Sequence, residues 1–136
     1  MIKEGKNKKT YKVITKEVDN TLNEKDMSAI DYIQYKYPET ARAFQDFQFA
    51  QWELFCKKQK DYGPSNISVG TNLETEDDIR LALTGLWFRS NDKMQRFKQI
   101  VLNDQDPENE SLMDTFMDLA NYSIIAQLVS EGSWGK

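Results

Sequence analysis

The sequence predicts an all-α fold, and three observations carry this prediction. Apolar residues recur at helical spacing along three long stretches of the 136-residue chain. Residues suited to helix boundaries, such as Pro38 at a beginning and Gly132 at an end, flank these stretches. The chain has no internal repeat and no low-complexity segment, so we expect one helical domain that is long enough to bury a core.

Composition excludes several kinds of chemistry. The chain has no histidine and one cysteine, Cys56, which excludes His-dependent catalysis, a Cys/His zinc site and an internal disulfide bond. Its net charge of −4 makes duplex nucleic acid an unexpected partner, because phosphate backbones are bound by basic surfaces. Carboxylate, lysine, arginine and tyrosine chemistry remains, with Mg²⁺ or Mn²⁺ as the natural metals for oxygen ligands.

The chain shows no signal for a membrane or for export. No stretch approaches the roughly 18 apolar residues of a membrane span. The basic residues near the N-terminus are not followed by an apolar segment, so we expect a cytoplasmic protein with no membrane partner. Residues 1–25 are polar and rich in lysine, which predicts a short, mobile N-terminal arm ahead of a helical domain over residues 26–136.

Pro38 separates the first two predicted helices. Asp26 is a candidate N-cap for a short first helix. We expect that helix to end at Tyr37, because helical geometry is disfavoured for the residue before a proline. Pro38 suits the first position of the second helix, which we predict to run to about Lys60. Cys56 lies near the apolar positions of that helix and is predicted to be a small core residue.

A polar segment over residues 57–70 follows the second helix. Gly63 and Pro64 indicate a turn within it. Its candidate ligands for a phosphate, a ribose or a base are Lys58, Asp61, Tyr62 and Asn66. A connector that is polar because it is exposed is the simpler interpretation of the same residues.

The third helical stretch begins after Thr75, whose side chain can cap it and whose acidic successors suit a helix N-terminus. The apolar periodicity continues to Asn103, which predicts one long helix or two helices joined midway. Arg89, Lys93 and Arg96 recur at spacings of four and three residues. They therefore form a basic stripe along one face.

A short loop separates this stretch from the last helix. Asp106 is a candidate N-cap with Pro107 at the first helical position, and Gly132 ends the helix. Because the loop is short, we expect the last two helices to be antiparallel neighbours.

Acidic residues follow one face of the last helix. Glu110, Asp114 and Asp118 recur every four residues, and Asn121 follows three residues later. At about 3.6 residues per turn these side chains stack on one face. The helix beyond Asp118 is apolar almost all round, so we expect the acidic row to face the interior or a cleft. Carboxylates there must be paired, protonated or bound to a metal ion.

The acidic row and the basic stripe allow two interpretations. In the first, the helices are joined by ion pairs, such as Arg96 with Asp114 or Glu110, that have a purely structural role. In the second, the acids hold a divalent cation, and the lysine and arginine side chains bind phosphates in a cleft. Spacing alone favours neither interpretation, because structural networks also concentrate charge.

Three motifs in the chain resemble a known family. They read ELFCKKQKDYGPSN, DKMQRF and ENESLMDTFMDLANYSIIA. Together they resemble the nucleotide modification associated domain family, found mainly in phages and bacteria, which is in turn similar to the all-α MazG-like nucleotide pyrophosphohydrolases. The resemblance covers residues 44–130 and implies a MazG-like helical bundle that forms a homo-oligomer.

The resemblance also implies a metal site. MazG-like enzymes hold Mg²⁺ with an EExxE pattern on one helix and an ExxD pattern on another, and they cleave nucleoside triphosphates to a monophosphate and pyrophosphate. Asp118 takes the place of the aspartate, with Asp114 and Glu110 one and two turns before it. These three acids are the predicted catalytic residues and the predicted ligands of Mg²⁺ or Mn²⁺. At the position of the first motif, basic Lys93 and Arg96 replace two expected acids.

The resemblance leads to a nucleotide or nucleotide-derived small molecule as the expected ligand. The candidate binding residues are Lys58, Asp61, Tyr62, Asn66, Arg89, Lys93, Arg96 and Asn121. If the protein is an enzyme, we expect hydrolysis of a nucleoside triphosphate by metal-activated water, in phage nucleotide-pool control or nucleotide modification within the host cytoplasm. The alternative is a non-catalytic module that sequesters a nucleotide-derived signalling molecule. A purely structural bundle is a third hypothesis.

Overall fold

A computed structural model of the chain describes residues 23–136 and confirms the all-α prediction for them. Its five α-helices are α1 Ala29–Lys36, α2 Pro38–Tyr62, α3 Ser65–Ser68, α4 Glu76–Phe97 and α5 Leu112–Glu131. A 3-10 turn, Glu24–Asp26, precedes α1, and a π-helical turn, Lys98–Leu102, continues α4. Most of the arm predicted for residues 1–25 lies outside the described residues. Among the helices of residues 23–136, none has the length and apolarity that crossing a bilayer requires.

Local backbone chemistry accounts for most helix boundaries. Thr75 caps α4 as predicted, because its side-chain oxygen accepts a hydrogen bond of 3.1 Å from the Asp78 amide. Pro38 is the first residue of α2, also as predicted. The cap of α1 is Ser28, whose hydroxyl accepts from an amide of the first turn, so the prediction of Asp26 as its cap was wrong.

The segment after α2 contains more structure than a turn. Gly63 adopts a left-handed conformation, with φ of 66°, and ends the helix. The chain then forms the short α3, in which Ile67 and Ser68 are buried. Cys56, predicted to lie in the core, is exposed. The helical spacing of α2 is as predicted, but none of its residues is buried.

Helix α4 is continuous, which decides between the two predicted arrangements in favour of a single long helix. Helix α5, however, begins at Leu112, several residues later than predicted from Asp106 and Pro107. Its N-cap is Ser111, whose hydroxyl accepts a hydrogen bond of 3.1 Å from the Asp114 amide. The end at Gly132 is as predicted, with a left-handed φ of 86°.

The chain divides into two compact units, Met1–Phe49 and Ala50–Lys136, and the division falls within α2. In residues 23–49, the described part of the first unit, no residue is buried. The second unit has a core of buried apolar residues, namely Ile67, Ala82, Leu86, Ile125, Val129 and Trp134. Every residue of the candidate site below belongs to the second unit.

Within the second unit, α4 packs on both α3 and α5. Lys93 contacts Asp118, and the later Arg96 contacts the earlier Thr115. Residues later in α4 therefore contact residues earlier in α5. This order confirms the predicted antiparallel neighbours.

Candidate functional site

A chain of ion pairs joins three elements of the second unit at Asp118. One carboxylate oxygen of Asp118 lies 2.7 Å from Nζ of Lys58 on α2, and the other lies 2.9 Å from Nζ of Lys93 on α4. Lys93 also lies 2.8 Å from Oε2 of Glu110, in the loop before α5. Two acids and two lysines therefore alternate along one connected chain.

Asp118 is held in its charged form despite its burial. Its side chain is only 6% exposed. Burial alone raises the pKa of a carboxyl group, but the hydrogen bonds and charges of Lys58 and Lys93 outweigh burial and hold the pKa of Asp118 below its ordinary value. Burial likewise works to lower the pKa of Lys93, but its hydrogen bonds to Glu110 and Asp118 raise that pKa above its ordinary value. Both groups stay ionised at neutral pH.

Arg96 is used to build the beginning of α5. Its guanidinium group donates to Oγ1 of Thr115 at 2.6 Å, to the carbonyl of Ser111 at 3.3 Å and to the carbonyl of Glu110. Thr115 is fully buried. These bonds fix the loop that carries Glu110, so Arg96 lies beside the ion-pair chain and positions one of its members.

The buried face of α5 explains which acids are brought together. The face consists of Thr115, Asp118, Asn121, Ile125 and Val129. These residues follow helical spacing, and the face is polar near the helix N-terminus and apolar further along. The predicted row of three acids on one buried face was therefore wrong in two members. Glu110 precedes the helix, and Asp114 is exposed next to the buried Thr115.

A cavity of about 220 Å³ lies beside Asp118. It is lined by the cationic Lys58 and Arg89, by the amides of Gln59, Asn66 and Asn121, by the aromatic Phe55, Tyr62, Tyr122 and Trp134, and by Ile67, Asp118 and Ile125. The cavity combines aromatic rings, neutral hydrogen-bonding groups and two side chains that can meet an anion.

Two contacts from distant parts of the chain fix one wall of the cavity. Nη2 of Arg89 donates to the carbonyl of Asn66 at 3.0 Å, and Nε1 of Trp134 donates to the carbonyl of Pro64 at 3.0 Å. Trp134 also packs edge-on against Phe55, with ring centroids 6.1 Å apart. The Oδ1 atom of Asn66 is buried and has no hydrogen-bond partner within residues 23–136.

The structure places most of the predicted binding residues at this cavity. Of the eight candidates, Lys58, Tyr62, Asn66, Arg89 and Asn121 line it. The other three candidates lie apart from the lining. Lys93 meets it through the ion pair with Asp118, Arg96 lies at the beginning of α5, and Asp61 is exposed.

The predicted metal ligands are not gathered into a metal site in this arrangement. The oxygens of Asp118 face two lysines, Glu110 faces Lys93, and Asp114 has no ion-pair partner within residues 23–136. In that part of the chain, no group of three or more His, Cys, Asp or Glu side chains is placed to hold a metal ion. The donor set does not fit Mg²⁺ while Lys93 lies between its acids, and binding of Mg²⁺ or Mn²⁺ stays a prediction.

Comparison with known proteins adds one finding. A family model described as Nucleotide modification associated domain 1 matches residues 58–129, more than half of the chain. The chain belongs to this family. No curated protein and no solved structure matches it. Membership confirms the resemblance to the nucleotide modification associated domain, whereas the relation to MazG-like enzymes stays a prediction.

The boundaries of the nucleotide modification associated domain separate two parts of the cavity. Residues 58–129 include both lysines of the ion-pair chain and both of its acids. Two aromatic residues of the lining, Phe55 and Trp134, lie outside the matched range. Sequence reasoning missed both as cavity residues. A tryptophan just after the end of the last helix at Gly132 was the available signal for a buried role of Trp134. Its place of packing could not be predicted, because its indole N–H bonds to Pro64, 70 residues away.

Proposed function

We propose that this protein binds a nucleotide in the cavity beside Asp118. The observation that carries the proposal is the lining itself, in which exposed cations and an aromatic ring lie beside buried and half-buried amides. Membership in the nucleotide modification associated family supports a nucleotide over other anionic ligands. Pockets in which a few polar groups converge among aromatic side chains are the usual form of a small-molecule site.

The size of the cavity indicates how a nucleotide lies. Ligand sites commonly measure roughly 300–1,000 Å³, and this cavity measures about 220 Å³. It can enclose a base and part of a sugar but not a polyphosphate. The phosphates then lie at the mouth, where Lys58 and Arg89 are exposed. Tyr62 is 67% exposed and offers a ring face for stacking with the base.

The ion-pair chain permits Lys58 to exchange partners. Its side chain is 47% exposed, whereas that of Lys93 is 19% exposed. When Lys58 turns to a phosphate, Asp118 keeps its contact with Lys93. The buried carboxylate therefore never becomes an unpaired charge, which would be strongly destabilising. The phosphate gains a charge-assisted hydrogen bond from Lys58, and Asp118 keeps the one from Lys93.

Metal-dependent hydrolysis is the second candidate function. The exposed Asp114, one turn before Asp118, favours it as a carboxylate available for a cation. Hydrolysis by metal-activated water additionally requires Lys93 to leave both acids. A binding module without turnover requires no such change, and the geometry favours it for that reason. A phage origin, the host cytoplasm and a role in nucleotide-pool control stay predictions from the family resemblance.

The test compares two adjacent lysines. Calorimetric titration with nucleoside mono-, di- and triphosphates, with and without Mg²⁺, is expected to give saturable binding to the wild type. Lys58→Met is expected to weaken binding about tenfold or more, because a charge-assisted hydrogen bond is lost. Lys57→Met is the matched control, since Lys57 is 72% exposed and pairs with Glu53 on its own helix.

The same titrations separate the two candidate functions. Recovery of intact nucleotide after incubation supports a binding module, whereas Mg²⁺-dependent release of pyrophosphate supports the hydrolase. Absence of binding by every nucleotide contradicts the proposal. Equal weakening by Lys58→Met and Lys57→Met contradicts the assignment of the cavity.

A further inference from the structure

We propose that Asn66 determines specificity, because its side-chain oxygen accepts a hydrogen bond from an uncharged donor of the ligand. The donor is an N–H group of the base or a hydroxyl group of the ribose. This inference rests on the nucleotide-binding function proposed above and adds which chemical feature of the nucleotide the cavity recognises.

The inference begins with the unpaired acceptor. Oδ1 of Asn66 is buried and has no hydrogen-bond partner within residues 23–136, and Asn66 lines the cavity. Buried polar atoms almost always have a partner in folded proteins, so each exception requires an explanation. An acceptor that has lost water and gained no donor keeps its full desolvation penalty until a donor arrives. A ligand donor removes that penalty.

The backbone of Asn66 is held from two directions. Arg89 binds the carbonyl of Asn66 at 3.0 Å, and Trp134 binds the carbonyl of Pro64 two residues earlier at 3.0 Å. The terminal torsion of an asparagine is broad, so the amide can turn toward the cavity without moving this fixed backbone. The backbone therefore needs no reordering, and the ligand has only the side-chain amide of Asn66 to orient.

Two other polar side chains of the cavity wall, Asn121 and Asp118, are already engaged. Nδ2 of Asn121 donates to the carbonyl of Gln51 at 3.3 Å, and each oxygen of Asp118 faces a lysine. An amide oxygen is an acceptor, so it pairs with a donor of the ligand and not with an ionised phosphate oxygen. In the proposed complex the cations bind the phosphates, and the unpaired oxygen of Asn66 is available to distinguish bases or sugars.

The experiment removes one ligand donor at a time. Titrations measure Kd for each nucleotide and for an analogue that lacks one N–H donor of the base. The pairs are AMP with purine riboside monophosphate, CMP with pyrimidin-2-one riboside monophosphate, GMP with inosine monophosphate, and UMP with 3-methyluridine monophosphate. A second arm uses the 2′-deoxy and 3′-deoxy forms, which separates a ribose donor from a base donor. Loss of the recognised donor is expected to weaken wild-type binding about tenfold. In Asn66→Ala the same loss is expected to change Kd by less than about twofold, since no acceptor remains.

Two further variants complete the test. Asn66→Asp keeps an acceptor oxygen and is expected to keep the discrimination, although its charge weakens all phosphate-bearing ligands alike. Asn72→Ala is the matched control, because Asn72 is exposed and outside the lining, and it is expected to match the wild type. The melting temperature of ligand-free Asn66→Ala is expected to equal or exceed that of the wild type, since the substitution removes an unpaired buried acceptor.

The outcomes separate the two proposals. If nucleotides bind but removal of each donor changes Kd equally in the wild type and in Asn66→Ala, the inference is wrong and nucleotide binding stands. A lower melting temperature with unchanged discrimination in Asn66→Ala assigns Asn66 a structural role and also overturns the inference. If no nucleotide binds the wild type, both proposals are wrong.

Discussion

At the scale of single residues, the buried and doubly paired Asp118 predicts a large effect on stability. Its buried carboxylate is shared by Lys58 and Lys93. We expect Asp118→Asn to lower the free energy of unfolding by about 3 kcal/mol, because Lys93 keeps a buried charge with one partner fewer. Urea unfolding measures the change. Asp114→Asn, one turn earlier and exposed, is the matched control and is expected to change stability by less than about 0.5 kcal/mol. Equal effects of the two substitutions contradict the assignment.

The same carboxylate predicts a pH dependence of stability. The pKa of Asp118 lies below its ordinary value in the folded state, so the unfolded state binds its proton more readily. The contribution of Asp118 is therefore present above its unfolded pKa of about 3.9 and is lost as the pH falls through the lower folded pKa. Urea unfolding between pH 3 and 7 is expected to show a difference between wild type and Asp118→Asn that is constant above about pH 5 and shrinks below about pH 4. A difference that grows on acidification contradicts this prediction.

Lys93 predicts a loss of stability at high pH, opposite to the loss at low pH predicted by Asp118. Its folded pKa is raised, so its contribution is present below its unfolded pKa of about 10.4 and is lost as the pH rises through the higher folded pKa. Together the two shifts leave a wide window around neutral pH in which both Asp118 and Lys93 are charged. Ligand exchange at Lys58 is therefore expected to proceed without any change in the protonation of Asp118 or Lys93.

At the scale of elements, the beginning of α5 depends on a residue of α4. We expect Arg96→Ala to lower stability by about 2 kcal/mol, because three hydrogen bonds from a charged donor are lost at the first turn. Hydrogen exchange is expected to accelerate at the amides of Asp114 and Thr115 while the last turn of α5 keeps its protection. Arg80→Ala, at an exposed position of the same helix, is the control. Uniform acceleration along α5 contradicts a local role.

The same element shows what sequence reasoning can and cannot reach. Pro38, Thr75 and Gly132 were placed correctly because their effects act on the adjacent backbone. The beginning of α5 was misplaced because two local signals compete, at Asp106 and at Ser111, and the contacts of Arg96 from another helix favour the later one. A local pattern identifies candidate caps, whereas packing chooses between them.

The site follows the same division. Lys58, Arg89 and Asn121 could be selected from the sequence, because helical spacing and family motifs mark them, and all three line the cavity. The exposure of Asp114 could not be predicted from the sequence. A buried face that contains Thr115 instead of Asp114 fits the helical spacing equally well. The contact of Trp134 with Pro64 joins positions 70 residues apart, and no local pattern encodes it.

At the scale of the whole molecule, the small core contrasts with the large apolar surface. Six apolar residues are buried in the described part of the chain, whereas Phe44, Trp52 and many other large apolar side chains are exposed. The candidate cavity and the core lie in the same unit, so the site is built on the best-packed part of the described chain. The remaining apolar surface calls for another explanation, because monomers seldom expose large contiguous patches.

A group of exposed apolar residues on α4 and its π-helical continuation predicts self-association. The α4 stripe consists of Leu81, Trp87, Phe88, Met94, Val101 and Leu102. Trp87, Met94 and Val101 recur every seven residues, so they share one side of α4 and its π-helical continuation. Trp87 is 61% exposed and Phe88 58% exposed. An apolar stripe on a helix can pack against its own copy about a twofold axis. We therefore expect the homo-oligomer implied by the family resemblance to form through this stripe.

Sedimentation velocity tests this prediction. The wild type is expected to sediment as a dimer or a higher oligomer, and the double variant Phe88→Lys with Met94→Lys as a monomer, because two buried charges without partners oppose association. Ile30→Lys with Ile33→Lys places the same charges on exposed apolar positions of α1 and serves as the matched control. Dissociation by the α1 variant alone assigns the interface to the first unit and contradicts the role of the α4 stripe. A wild type that is monomeric at all concentrations contradicts self-association itself.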